Sequence, residues 1–158
     1  MSLEIVKSFV TKQLEFARDA YVQDLEAMSD KDLLEGAGGA ERKGIDFSYE
    51  VAYVNRRFAT RLRGETPDPW PENGWIVAPA EFRTKEAAIA GVRDATNEFI
   101  AVWNGVPIED MTKVIPLPTG ETSALDLAFS VCWHNGYHDA QLNYIQELSG
   151  DLKMHWQD

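Results

Sequence analysis

Two of the three histidines in this chain, His134 and His138, are spaced i,i+4. On a helix that spacing puts both imidazoles on one face, one turn apart, a separation that lets them share a metal ion. The surrounding residues sharpen the signal. At ~100° per residue, Ala124, Leu127, Val131, His134, His138, Gln141, Leu142 and Ile145 fall on one continuous stripe, so the pair sits inside an apolar seam. An imidazole placed there must be hydrogen-bonded, metal-bound or destabilising. The spacing by itself is a weak signal, because such pairs arise by chance on many helices; the apolar flanks give it weight.

Two imidazoles rarely complete a catalytic metal site, so a third ligand has to come from another helix. Glu50 is the candidate. It lies three residues after Phe47 and four before Val54, on the margin of an apolar stripe, where it is either a solvated edge residue or an inward ligand. Asn55 borders the other side of that stripe and Tyr53 points largely away. A metal set of Glu50, His134 and His138 would leave positions open for water and substrate, and would suit Zn, Ni, Fe or Mn alike. Gln141, on the histidine face, is a candidate to orient a ligand or substrate, as is Asn55. Cys132 lies about 200° round the helix from His134 and reads as a core residue. Asp139 reads as a solvated charge, His155 as a peripheral tail residue, and Trp70, Trp75 and Trp133 as packing anchors. The basic run Arg56, Arg57, Arg61 and Arg63 reads as i,i+4 pairs with nearby acids.

Four helices must position these residues. The 3.6-residue apolar period predicts them over about Leu3–Met28, Asp46–Leu62, Thr84–Trp103 and Ser123–Leu148. Asp46, Thr84 and Ser123 are the expected caps, Ser123 with Asp126 resembling a capping box. Between the first two helices, one helical turn at Asp30–Leu34 is the most structure expected. Pro67, Pro69, Pro71 and Pro79 forbid a helix or a central strand over 65–81. Trp70 and Trp75 predict that this stretch is an ordered loop pinned by its indoles, placed to serve as a lid. Lys113–Leu117 (KVIPL) reads as a short extended segment at most, because Pro116 and the following Pro118 argue against a full strand. The last helix is apolar on a second face as well (Leu125, Phe129, Cys132, Gly136 and Ala140), which predicts a central helix or a homodimer interface. The fold expected is all-α, a four-helix bundle with long connections, forming one domain over 1–158.

Composition bounds the function. The chain has 158 residues, 15 basic and 26 acidic, and a formal net charge of −11. That charge opposes nucleic acid and anionic lipid. No apolar stretch reaches the ~20 residues of a membrane span. The N-terminus lacks the basic-then-apolar pattern of a signal peptide, so a cytoplasmic protein is expected. The single cysteine excludes a disulfide within the chain and a multi-cysteine zinc site.

The stretch from Trp133 to Leu142 resembles the H-x-x-x-H-x-x-Q signature of DinB-like (DinB/YfiT) proteins, with His134, His138 and Gln141 at the marked positions. The resemblance implies a four-helix bundle holding a divalent metal through three histidines, the third in the second helix. This chain has no histidine there; the best register puts Glu50 in that place, and a slip of one puts Val51. The resemblance further implies a metal-dependent enzyme, a small-molecule S-transferase or hydrolase that uses a low-molecular-weight thiol or a water. The rival expectation is a non-catalytic dimeric bundle whose metal site is structural or vestigial.

Overall fold

The computed structural model describes residues 2–36, 38, 42–72, 74–118 and 120–156. Four long helices, α1 (Leu3–Ala27), α3 (Gly44–Leu62), α4 (Lys85–Gly105) and α5 (Ala124–Leu148), make the frame. A short helix α2 (Asp30–Glu35) follows α1, and a hairpin of β1 (Val114–Leu117) and β2 (Gly120–Ser123) precedes α5. Both α1 and α3 pack on α4 and α5, so α1 stands diagonally across from α3 and α4 from α5.

Local chemistry accounts for most boundaries. The hydroxyls of Ser29, Thr84 and Ser123 accept from Asp32, Ala87 and Asp126 N–H groups at 3.1, 3.1 and 3.2 Å, satisfying donors that the first turns leave free. Asp46 departs from expectation. The helix starts earlier, at Gly44. Asp46 Oδ1 instead accepts from Ala78 N–H at 2.8 Å and from Arg83 Nη2 at 3.4 Å, so it ties the proline-rich connection to α3. Gly44 fits because α2, α3 and α5 converge there: a Cβ would lie 3.1 Å from Leu142 and 3.2 Å from Leu33.

Two other expectations are corrected. Residues 114–117 do form a strand despite Pro116, which pairs with Glu121 in a two-stranded antiparallel hairpin. A two-stranded ribbon has free edges, so a residue without an N–H is tolerated. The indoles of Trp70 and Trp75 do not pin the 65–81 connection by burial, since Trp75 is 61% exposed. Ile76, Ala78 and Phe82 anchor it, with the Phe82 ring in a groove over Gly91 where any Cβ would collide. The second apolar face of α5 is partly covered: Leu125 and Cys132 pack against the interior, whereas Phe129 is 68% exposed and Gly136 and Ala140 face outward.

The interior has two apolar clusters. One gathers Tyr21, Leu25, Ile45, Phe47, Val51, Val92, Leu142 and Ile145; the other gathers Leu14, Ala59, Phe99, Trp103, Leu127 and Val131. Between them, in the sequence of each helix, lie buried polar residues: Asn55 on α3, Thr96 on α4, and Asn135 and His138 on α5. Polar groups can occupy this level because they bond one another, Asn55 Nδ2 donating to Thr96 Oγ1 at 3.0 Å and to Asn135 Oδ1 at 3.2 Å.

Candidate metal centre

Glu50 on α3 and His134 and His138 on α5 converge at this polar level. Glu50 Oε1 lies 3.7 Å from His134 Nε2 and 3.7 Å from His138 Nε2. One ligand atom from each residue falls within 4.8 Å of the other two. Ligands bonded to a tetrahedral ion at ~2.1 Å stand about 3.4 Å apart, so the three atoms are nearly at ligating separation. The imidazoles meet edge to face, with centroids 4.6 Å apart and planes at 85°.

The protons tell what the gap suits. Gln141 Oε1, which can only accept, is 2.7 Å from His138 Nδ1, so that nitrogen carries the hydrogen. That leaves His138 Nε2 as the ring nitrogen turned toward Glu50. Burial pushes His134 below the ordinary imidazole range, outweighing the pull of Glu50, and His138 nearby pushes the same way. Its Nδ1 is buried with no hydrogen-bond partner. Burial alone would raise the Glu50 carboxyl; the histidines and Arg42 outweigh it and hold Glu50 well below the usual carboxylate range. The centre therefore sets one ionised carboxylate oxygen against the Nε2 atoms of two imidazoles, all three of them atoms that can ligate a metal. Such a set is satisfied by a cation.

Surrounding groups hold the cluster in place. Arg42 bonds the second oxygen of Glu50, leaving Oε1 to the histidines, and its guanidinium lies between the rings of Phe47 and Trp75 at 5.1 and 4.9 Å. Phe47 also stacks on His138 at 5.3 Å. Periodicity gave no sign of Arg42, which precedes α3 and belongs to no apolar stripe; an arginine two residues ahead of a helix carrying a candidate acid was the one available clue.

The other candidates are placed elsewhere or used otherwise. Asn55 makes no hydrogen bond to the cluster; its amide serves Thr96 and Asn135. Cys132 lies in the α1–α5 groove beside Phe16 and Ala17, and burial pushes its thiol up to about 11, where it is a poor nucleophile at neutral pH. The tail turns back on α1, with His155 Nε2 2.9 Å from Asp151 and Trp156 edge-on to Phe16. The basic run pairs between helices rather than along one: Arg63 reaches Glu98 at 2.9 Å and Arg56 reaches it at 3.9 Å, while Arg57 donates to Asp68 O. Asp139 is corrected outright. It is buried beside Asp24 of α1, and burial, with the Asp24 charge adding to it, pushes its carboxyl up to about 8.

No curated protein matches the chain. A family model described as the DinB superfamily matches residues 13–142, which take in Glu50, both histidines and Gln141, and the chain belongs to the DinB superfamily.

Proposed function

We propose that this protein is a divalent-metal-dependent enzyme acting on a small molecule, a transferase using a low-molecular-weight thiol or a hydrolase using water. Glu50, His134 and His138 are the ligands in this reading. The supporting observation is the convergence of one carboxylate oxygen and two imidazole nitrogens at nearly ligating separation. A bound ion would supply a Lewis acid that lowers the pKa of a thiol or water. The chain's own contribution is positional. Gln141 fixes the His138 tautomer, Arg42 fixes the carboxylate, and Phe47 keeps water from one side of the ring. The metal is one of Zn, Ni, Fe or Mn. The protein acts as one domain in the cytoplasm without nucleic acid, in keeping with the −11 charge. No helix among the described residues is long and apolar enough to cross a membrane.

The test is the metal content of the purified chain and of His134→Ala. One ion per chain, lost in the variant with the fold kept, supports an open catalytic site. Metal loss that unfolds the protein supports a structural site instead. Equal metal content in both chains refutes the ligand set.

One observation favours a second reading, a non-catalytic homodimer. Phe129 and Trp133 of α5 and Phe9 and Phe16 of α1 are large apolar side chains each more than half exposed. Light scattering of the native chain against Phe129→Asp tests it: a dimer that the variant dissociates is the outcome expected.

A further inference from the structure

A cavity of about 330 Å³ opens beside the centre, and its lining includes Arg42, Phe47, Gln141, Tyr144, Ile145 and Leu148. Three of these touch the metal ligands: Arg42 bonds Glu50, Gln141 bonds His138, and Phe47 stacks on His138. The rest of the wall is apolar or aromatic, and Arg42 is the one charged group among the described lining residues.

Arg42 is built as a presented cation. Two aromatic rings hold its plane, Nη2 donates to Glu50 and at 3.3 Å to Ile76 O, and Nε is buried with no hydrogen-bond partner. The Arg42 side chain keeps 22% of its surface exposed and lines the cavity, and a guanidinium fork suits a planar oxyanion. The charge balance points the same way. Without an ion, Arg42 and Glu50 neutralise each other. A divalent ion held by Glu50 and two neutral imidazoles leaves the cluster two charges positive, so the loaded site favours an anion.

Resting on the metal-centre reading above, we propose that Arg42 recognises the substrate, and that the substrate is a small carboxylate with an aromatic or alkyl body lying along Phe47, Tyr144, Ile145 and Leu148. Carboxylate and metal then bind with positive coupling, each raising the affinity for the other.

Calorimetric titration of the zinc-loaded full chain with phenylacetate and its neutral counterpart 2-phenylethanol tests this. Phenylacetate is expected to bind about tenfold tighter than the alcohol, as one charge-assisted contact warrants, and more weakly to the metal-free chain. Arg42→Gln brings the ratio near one with zinc retained. Leu148→Glu, measured against the neutral Leu148→Gln so that the lost apolar contact cancels, leaves the ligands and Arg42 alone and weakens phenylacetate but not the alcohol; the pair decides the matter should Arg42→Gln release zinc. Equal affinities in the native chain, binding of neither probe, or a preference that survives Arg42→Gln overturns the proposal. Failure of the native chain to take up zinc removes the metal-centre reading first, so the two failures are told apart.

Discussion

Two buried carboxylate clusters meet α5 at consecutive residues, and they differ in charge. His138 faces Glu50; Asp139 faces Asp24. Burial raises the carboxyl pKa in both places. Around Glu50, two imidazoles and a guanidinium reverse that effect, and the carboxylate stays ionised. Around Asp139 the neighbour is a second acid, itself raised by burial against the opposing amide of Asn143, and a proton is retained. Asp24 Oδ1 and Asp139 Oδ1 lack donors, as expected of two acids that share a proton. The lesson is that burial does not by itself make an acid a ligand; the companion decides, and only the first cluster is ready to accept a cation.

Substitutions that interchange the two situations should break the contrast. The largest effect is expected from Glu50→Gln, which removes the charge and keeps the shape. Zinc affinity, read by chelator competition, should fall by more than about 100-fold, beyond what losing an outer partner costs. Unchanged affinity would remove Glu50 from the ligand set. Gln141→Leu frees the His138 tautomer and should weaken zinc by about 10–100-fold without altering the helix content seen by circular dichroism.

Asp139→Asn belongs to the other cluster and should leave zinc binding alone. Its signature is in stability. Between the ordinary aspartate value of 3.8 and about 8, the folded chain holds a proton on Asp139 that the unfolded chain has released. Folding in that window takes up a proton, so native stability declines as pH rises through it. The asparagine has no proton to lose, and thermal melts from pH 5 to 9 should show the variant gaining on the native chain as pH rises. Parallel curves would contradict a shared proton. The smallest effect is expected from Trp75→Ala, which strips one ring from Arg42. Urea unfolding should register a loss of about 0.5–1 kcal/mol, with the pH slope set by Asp139 unchanged.

Much of the frame was legible in the chain. The apolar period located all four long helices to within about two residues, and Thr84 and Ser123 cap where hydroxyls precede such runs. Where reading failed, a distant partner intervened. Asp46 has the chemistry of a cap but serves Ala78 and Arg83. Trp75 looked like an anchor because indole burial is favourable, yet it lies against a guanidinium and stays 61% exposed. Asp139 looked solvated because acids usually are, and only the approach of α1 to α5 buries it.

The sequence by itself determined what spacing along a helix determines: that His134, His138 and Gln141 share a face, and that this face is apolar on both flanks. Backbone geometry fixes those relations without any help from the rest of the molecule. The tertiary structure decided everything that crosses between helices. It set one Glu50 oxygen against both histidines and the other against Arg42, and it set Asp139 against Asp24. Relations of that kind depend on how ridges of side chains pack, a property of the whole core that no local pattern encodes.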